Sequence, residues 1–188
     1  MLILSYNVKK LLYDSISSYM ANDYPSFTIV VIDDGSNDGT KEWVEQYYPE
    51  VYVLRTECNL RYSGGFNLDL EYAFNKIKSD YVLITTNDLK ADCKVLTELR
   101  KVAEADSMIG FVTGKVYYYE KPYTLQTVGK HEDSIRWNGE HIGNKEIDYG
   151  QDDGLLSGFL QMIFLHIWAE SCRNRGLRYH FSVSIRRI

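Results

Sequence analysis

The stretch IVVIDDGSNDGTKEW, residues 29–43, holds the pattern of the whole fold in miniature. An apolar run led in by Phe27 and Thr28 has the unbroken hydrophobicity of a strand buried on both faces. It ends in two adjacent carboxylates, Asp33 and Asp34, and then in the small turn formers Gly35, Ser36 and Gly39. From Thr40 to Tyr47 the spacing is helical, with Trp43, Val44 and Tyr47 facing inward. A charge at the end of a buried strand is costly unless a partner or a ligand meets it. Asp33 and Asp34 therefore need a reason to be there.

Outward from this stretch the same alternation repeats. MLIL (1–4) opens a strand, and Lys9 to Met20 is amphipathic with Leu11, Leu12, Ile16 and Tyr19 on one face. VYVL (51–54) is a third strand. Ser63 can cap a helix running to about Ile77, with Phe66, Leu70, Phe74 and Ile77 at helical spacing. DYVLIT (80–85) is a fourth strand, Asp92 to Ala105 a helix, and MIGFVTGKVYYY (108–119) one further strand. Apolar strands alternating with helices predict an α/β fold with a mostly parallel central sheet and helices on both faces. Ligands of such sheets bind beyond the carboxyl ends of the strands, which is where Asp33, Asp34, Asn87 and Asp88 fall. From about Tyr117 the alternation gives way to a polar segment rich in Gly, His and Asp, read as loops and short antiparallel strands. With no repeat and no linker, the expectation is a single domain over 1–188.

Three constellations carry chemistry. In DDGSNDGT (33–40) a carboxylate can accept from ribose hydroxyls or a base N–H while small neighbours let a ligand approach. Equally, Asp33 can close a turn and Asp38 cap the helix. In TTNDLKAD (85–92), Asp88 can hold a divalent cation, or Asn87 and Asp88 can simply start a loop. In NLRYSGGFNLDL (59–70), Gly64 and Gly65 open a helix whose free N–H groups suit an anion, with Arg61 adding charge. The chain has neither GxGxxG nor GK[ST] at these places, which disfavours a dinucleotide oxidoreductase and a P-loop triphosphatase.

The remaining composition narrows the field. A net charge of −5 with no long basic run gives no support to nucleic-acid binding. Sixteen tyrosines suit a carbohydrate or base-stacking cleft, or equally a Tyr-rich sheet periphery. Cys58, Cys93 and Cys172 are odd in number and lack metal spacing, as in a reduced, cytoplasmic protein. LLSGFLQMIFLHIWA (155–169) is shorter than the ~20 residues of a membrane span and holds Gln161 and His166, so it reads as core.

Taken together and in this order, LSYN (4–7), YPSFTIVVIDDGSNDGT (24–40), NLRYSGGFNLDL and YVLITTNDLKAD (81–92) resemble the motifs of family 2 glycosyltransferases of the GT-A fold, above all the rhamnosyltransferase-like branch. NLRYSGGFNLDL is similar to N-x-G-[FY]-[AS]-G-G-x-N with Arg61 in place of a glycine. Thr86, Asn87 and Asp88 fill the three places of an LLNND-type variant of the DxD metal motif, and DYGQDD (148–153) and SGFLQMI (157–163) resemble later landmarks. The resemblance covers residues 1 to about 163. It implies inverting transfer of a sugar from a nucleotide-diphosphate donor (UDP-, dTDP- or GDP-sugar) to a hydroxyl of a glycan or lipid-linked acceptor, in cell-surface polysaccharide synthesis at the inner face of the membrane. Residues 1–116 would be the donor half and 117–188 the acceptor half. Asp33, Asp34, Ser36, Arg61, Gly64, Gly65 and Asn87 would hold the donor, and Asp88 would bind Mg²⁺ or Mn²⁺. Peripheral membrane association and a homodimer are compatible with it.

An inverting transfer needs a base for the acceptor proton. The G-x-F-D-E-x-F-F stretch and the E-D pair that supply it in the family are not matched after SGFLQMI; the chain passes directly to an R-x-R-x-x-G-like segment at Arg173 to Gly176. The expectation is a shortened C-terminal part, with Asp152, Asp153 and Glu170 as the remaining carboxylates near the acceptor side, and donor binding without efficient transfer. The other classes weighed are a non-catalytic nucleotide-sugar-binding remnant or partner subunit, and a nucleotidyltransferase, whose Gly-rich basic opening is missing from LSYNVKK (4–10).

Overall fold

The computed structural model describes residues 1–61, 70, 72–106, 109–129, 141–151, 163–166, 178–179 and 184–187. Along the chain run β1 (Leu2–Ser5), α1 (Lys9–Met20), β2 (Val30–Asp33), α2 (Thr40–Tyr47), β3 (Tyr52–Arg55), a π-helical turn (Ala73–Ile77), β4 (Tyr81–Thr86) and β5 (Leu89–Ala91). Then come α3 (Val95–Ala105), β6 (Ile109–Val112), β7 (Lys115–Tyr118), β8 (Lys121–Thr127), β9 (Ile163–His166), β10 (Arg178–Tyr179) and β11 (Ser184–Arg187).

The main sheet has the order β10-β6-β9-β4-β1-β2-β3. Its centre, β4-β1-β2-β3, is wholly parallel, and β9 is the antiparallel strand between β4 and β6. The period-2 alternation of each central strand divides the core into two layers. Ile3, Val31 and Leu83 pack against Leu12, Ile16 and Tyr19 of α1, Val44 of α2, and Val95, Leu96, Leu99 and Ala103 of α3. Leu2, Val30, Ile32, Val82 and Ile84 face the other way, onto Ala73 with Leu70 and Ile77 beside it. Apolar cover on both faces is what the unbroken VVI and YVLI runs required, and each fully buried Leu or Ile contributes about 1.5–3 kcal/mol.

Four expectations need correction or a limit. Tyr47 does not face inward but is exposed; the helix ends there and Tyr48 turns into the core instead, while Trp43 and Tyr47 lie ring against ring at 5.8 Å. The third helix starts at Val95, because Asp92 closes the turn before it: its carboxylate accepts from Lys94 N and its carbonyl from Val95 N. MIGFVTGKVYYY is two strands, β6 in the main sheet and β7 in another, broken at Thr113 and Gly114, where a glycine interrupts strand structure. Of the helix from Ser63, residues 63–69 and 71 lie outside the described residues.

The second sheet, β5-β11-β7-β8, is mixed and was not legible as a unit. Its β5 begins one residue past Asp88, so the chain leaves the main sheet at β4 and enters the second within two residues. Among the described residues no helix is long and apolar enough to cross a membrane.

Candidate functional site

Parallel pairing brings the strand ends to one edge. Ser5 is in register with Asp33, Asp33 with Arg55, and Leu4 with Thr86. Asp33 is fully buried there. Its Oδ1 accepts from Ser36 N at 2.9 Å, closing the turn, while its Oδ2 is buried without a hydrogen bond and lies 3.6 Å from the Arg55 guanidinium. Arg55 also donates to Ser36 O at 2.8 Å. Asp34 is equally buried; its Oδ1 accepts from Thr56 Oγ1 at 3.0 Å and Leu60 N at 2.9 Å. Gly35 stands at φ 74°, and a Cβ there would lie 2.9 Å from the Cys58 carbonyl carbon, so only glycine fits without strain. Ser36 Oγ accepts from Asn7 N, and Asn7 Oδ1 from Asn37 N, which ties the loop after β1 to this turn.

The end of β4 supplies the third carboxylate. Thr86 Oγ1 donates to Asp88 Oδ1 at 2.5 Å. Asn87 is turned toward β1: its backbone N donates to Leu4 O and its side chain to Ser5 Oγ, both at 3.2 Å. Underneath, the buried Tyr19 hydroxyl donates to Thr85 Oγ1 at 2.9 Å. Burial pushes the Tyr19 phenol well above its usual range and the Asp88 charge pushes the same way, so it stays a neutral donor. Asp88 itself is half-buried, an oxygen ligand of the kind Mg²⁺ and Mn²⁺ prefer. Among the described residues no group of three His, Cys, Asp or Glu side chains gathers. An ion at Asp88 would fill its shell with water and phosphate oxygens, the usual manner of Mg²⁺ sites. The donor set fits such an ion.

The sequence model for glycosyl transferase family 2 matches residues 1–168. The chain belongs to that family. Its fold is GT-A, as in the solved structures it resembles. S. aureus TarS 1–349, solved with UDP, is 24% identical with a TM-score of 0.54, over 62% of this chain and 35% of that one. The same protein with UDP-GlcNAc gives 24% and 0.55, over 62% and 34%. The mannosyltransferase PcManGT from Pyrobaculum calidifontis, solved with GDP-Man and Mn²⁺, gives 24% and 0.50, over 60% and 34%. This chain thus spans about a third of the length of those chains, and at this identity the likeness speaks for the fold. A comparison with curated proteins finds no match.

In this family 2 chain the structure brings Asp33, Asp34, Ser36, Asn87 and Asp88 to one strand edge. Arg61 is exposed at φ 61°, its N donating to Asn59 Oδ1. Gly64, Gly65, Asp152, Asp153 and Glu170 lie outside the described residues. Arg55 and Thr56, which meet Asp33 and Asp34, were not anticipated. The parallel order of β2 and β3 would have placed them, since strands starting together end together. A cavity of about 340 Å³ opens at the opposite edge, by Met1, Thr28 and Tyr81, and none of the candidate residues lines it.

Beside β7, Lys115 and Asp148 form a buried ion pair. Burial works against the Asp148 carboxylate. Hydrogen bonds from the Tyr117 hydroxyl, Lys115 and Gly150 N outweigh it and hold the group below the usual carboxylate range.

Proposed function

We propose that this chain binds a nucleotide-diphosphate sugar at the β1-β2-β4 edge and transfers the sugar, with inversion, to an acceptor hydroxyl in cell-surface glycan synthesis. The observation that carries the reading is the placement of the carboxylates. Asp33 and Asp34 end β2, Asp88 follows β4, and β1 alone separates the two strands. Two strand spacings, about 10 Å, are the reach from a nucleoside to its diphosphate.

Each residue then has a task. Asp33, with one buried oxygen lacking a hydrogen bond, accepts from a base N–H or ribose hydroxyl. Asp34, held by Thr56 and Leu60, fixes the adjoining segment against the nucleoside. Ser36, Arg61, Gly64, Gly65 and Asn87 complete the donor side, Asn87 by bracing β4 on β1. Asp88 would hold Mg²⁺ or Mn²⁺ against the diphosphate; when bound, such an ion supplies neutralisation of the charge that grows on the leaving group. Asp152, Asp153 and Glu170 are the candidates for taking the acceptor proton. We read 1–116 and 117–188 as donor and acceptor halves of one unit, joined through β5 in the second sheet.

Donor binding with slow transfer is the second reading. It is favoured by the stretch after SGFLQMI, which passes to Arg173–Gly176 without the G-x-F-D-E-x-F-F segment that supplies the base in the family. Calorimetric titration of UDP, dTDP and GDP, with Mn²⁺ and with EDTA, tests the donor site; no metal-dependent binding of any of them overturns both readings. Transfer to a panel of glycan and lipid-linked acceptors then separates them. Rapid turnover would exclude the second and direct substitutions to Asp152, Asp153 and Glu170.

A further inference from the structure

Asp88 occupies a two-residue turn between strands of different sheets, β4 before it and β5 after it. A carboxylate in such a place has no regular backbone to hold it, and its orientation must come from side chains around it. The three residues before it supply that. Strand alternation sends Thr85 and Thr86 to opposite faces. Thr85 goes inward, where the fully buried Tyr19 hydroxyl donates to it and pins the end of β4 to α1. Asn87 fastens the turn to β1 through Leu4 O and Ser5 Oγ. On the far side, Ala91 N donates to Ser18 Oγ at 3.0 Å, fastening β5 to the same helix. With the backbone fixed at both ends, Thr86 reaches the carboxylate itself: its hydroxyl donates to Asp88 Oδ1 at 2.5 Å, at the short limit for a charge-assisted O–H···O⁻ bond.

We propose that Thr86 is a positioning residue for the Asp88 carboxylate, holding one oxygen so that the group is already oriented when a divalent cation and a diphosphate arrive; this rests on the reading above that Asp88 is the metal ligand. A carboxylate offers about four lone-pair sites, and a hydroxyl donor occupies one of them, choosing the rotamer and leaving the other sites to a ligand. Outer donors of this kind orient ligands at metal sites, and their loss typically weakens metal binding about 10–100-fold. Of Tyr19, Thr86 and Asn87, Thr86 is the one whose side chain donates to Asp88, so it is where a substitution reports on orientation instead of on the fold.

The test uses the full chain and three substitutions. Thr86→Val keeps the β-branched shape that suits the strand end but removes the donor; Thr86→Ser keeps the donor; Thr86→Ala is the second donor-free variant should valine disturb folding. Each is titrated with Mn²⁺ in the presence of UDP, followed by the electron paramagnetic resonance signal of free Mn²⁺ against a protein-free UDP blank, and with UDP in Mn²⁺ or EDTA by calorimetry. The expected result is Mn²⁺ affinity about 10-fold weaker in Thr86→Val, unchanged UDP affinity in EDTA, and recovery to within about 2-fold in Thr86→Ser. Equal Mn²⁺ affinity in wild type and Thr86→Val overturns the proposal while leaving Asp88 as the ligand. An equal fall in both the Mn²⁺ and EDTA arms also overturns it, because that is a folding effect. If wild type takes up no Mn²⁺ with UDP, Thr86 has no ion to serve and the metal role of Asp88 falls with it.

Discussion

Lys115 Nζ donates to both carboxylate oxygens of Asp148, at 2.9 and 3.1 Å, in a place nearly closed to water. Tyr117 O–H and Gly150 N donate to the same carboxylate. Three donors, making four hydrogen bonds, converge on one anion, which fixes the 141–151 segment to β7 just before Asp152. Removing the cation leaves that anion buried with neutral donors alone, the costly way to break such a pair. Lys115→Met is expected to lower unfolding free energy by about 3–5 kcal/mol, read from the urea midpoint at unchanged slope. A loss under about 1 kcal/mol would mean that the pair behaves as a surface bridge.

The same carboxylate gives a pH signature. Its folded pKa is depressed below the unfolded value, so the unfolded chain binds the proton more tightly. The stabilisation is present above the unfolded value, about 3.9, and is lost as pH falls through the lower folded one. Wild type is expected to exceed Asp148→Asn in stability at pH 7, with the gap closing below about pH 4. A gap that widened in acid would reverse the sign.

Gly35 is expected to tolerate no side chain. Its φ of 74° disfavours an L residue, and a Cβ would press on the Cys58 backbone at 2.9 Å, which has no flexible end to move aside. Gly35→Ala should cost about 2–3 kcal/mol, near 4–12 °C in Tm for a chain of this length. Because Asp33, Asp34 and Ser36 flank it, nucleotide affinity in EDTA should fall too. Gly39→Ala is the control. It shares the positive φ, but its Cβ would have space, the nearest atom being a lysine Nζ at 3.7 Å.

Arg55 and Asp33 form a second pair, suited to a double-mutant cycle. Arg55→Met strands a fully buried carboxylate and is expected to cost about 2 kcal/mol, less than a fully buried pair because the guanidinium is partly in water. Adding Asp33→Asn should recover part of that loss, giving a coupling of about 1 kcal/mol by denaturant titration. Strict additivity would show that the Ser36 carbonyl, not Asp33, is the partner Arg55 serves.

The parallel strands β1 to β4 were legible because their signals are local. Unbroken VVI and YVLI runs can only be strands covered on both faces, and DDGS and TTND mark where those strands stop. What was not legible depends on pairing between distant segments. Arg55 meets Asp33 only because β3 lies beside β2, and β5 is a strand only because β11 pairs with it, 90-odd residues on. MIGFVTGKVYYY shows the limit: hydrophobicity runs through it, and the break at Thr113–Gly114 exists because its two ends join different sheets. Tyr47 failed for a smaller reason. Helical periodicity holds only while the helix lasts, and it ends at that residue.

Asp88 and Asp33 should separate cleanly in one experiment, because they are expected to read different parts of the same ligand. Asp88→Asn keeps shape and removes the charge a divalent cation needs; nucleotide affinity in Mn²⁺ should drop by about 10-fold or more, to the value in EDTA, with the EDTA value itself unmoved. Asp33→Asn should weaken binding in both conditions, by about 1.5–3 kcal/mol for a lost charge-assisted bond. Half-buried Asp88 should also cost little stability, whereas Asp33 is fully buried with Ser36 N and Arg55 turned to it and should cost more. Calorimetry with the wild type's preferred nucleotide, alongside thermal melts, gives both affinities and the stability of each variant. If Asp88→Asn left the Mn²⁺ dependence intact, the ion would lie elsewhere on the edge, and the division of labour between β2 and β4 would have to be redrawn.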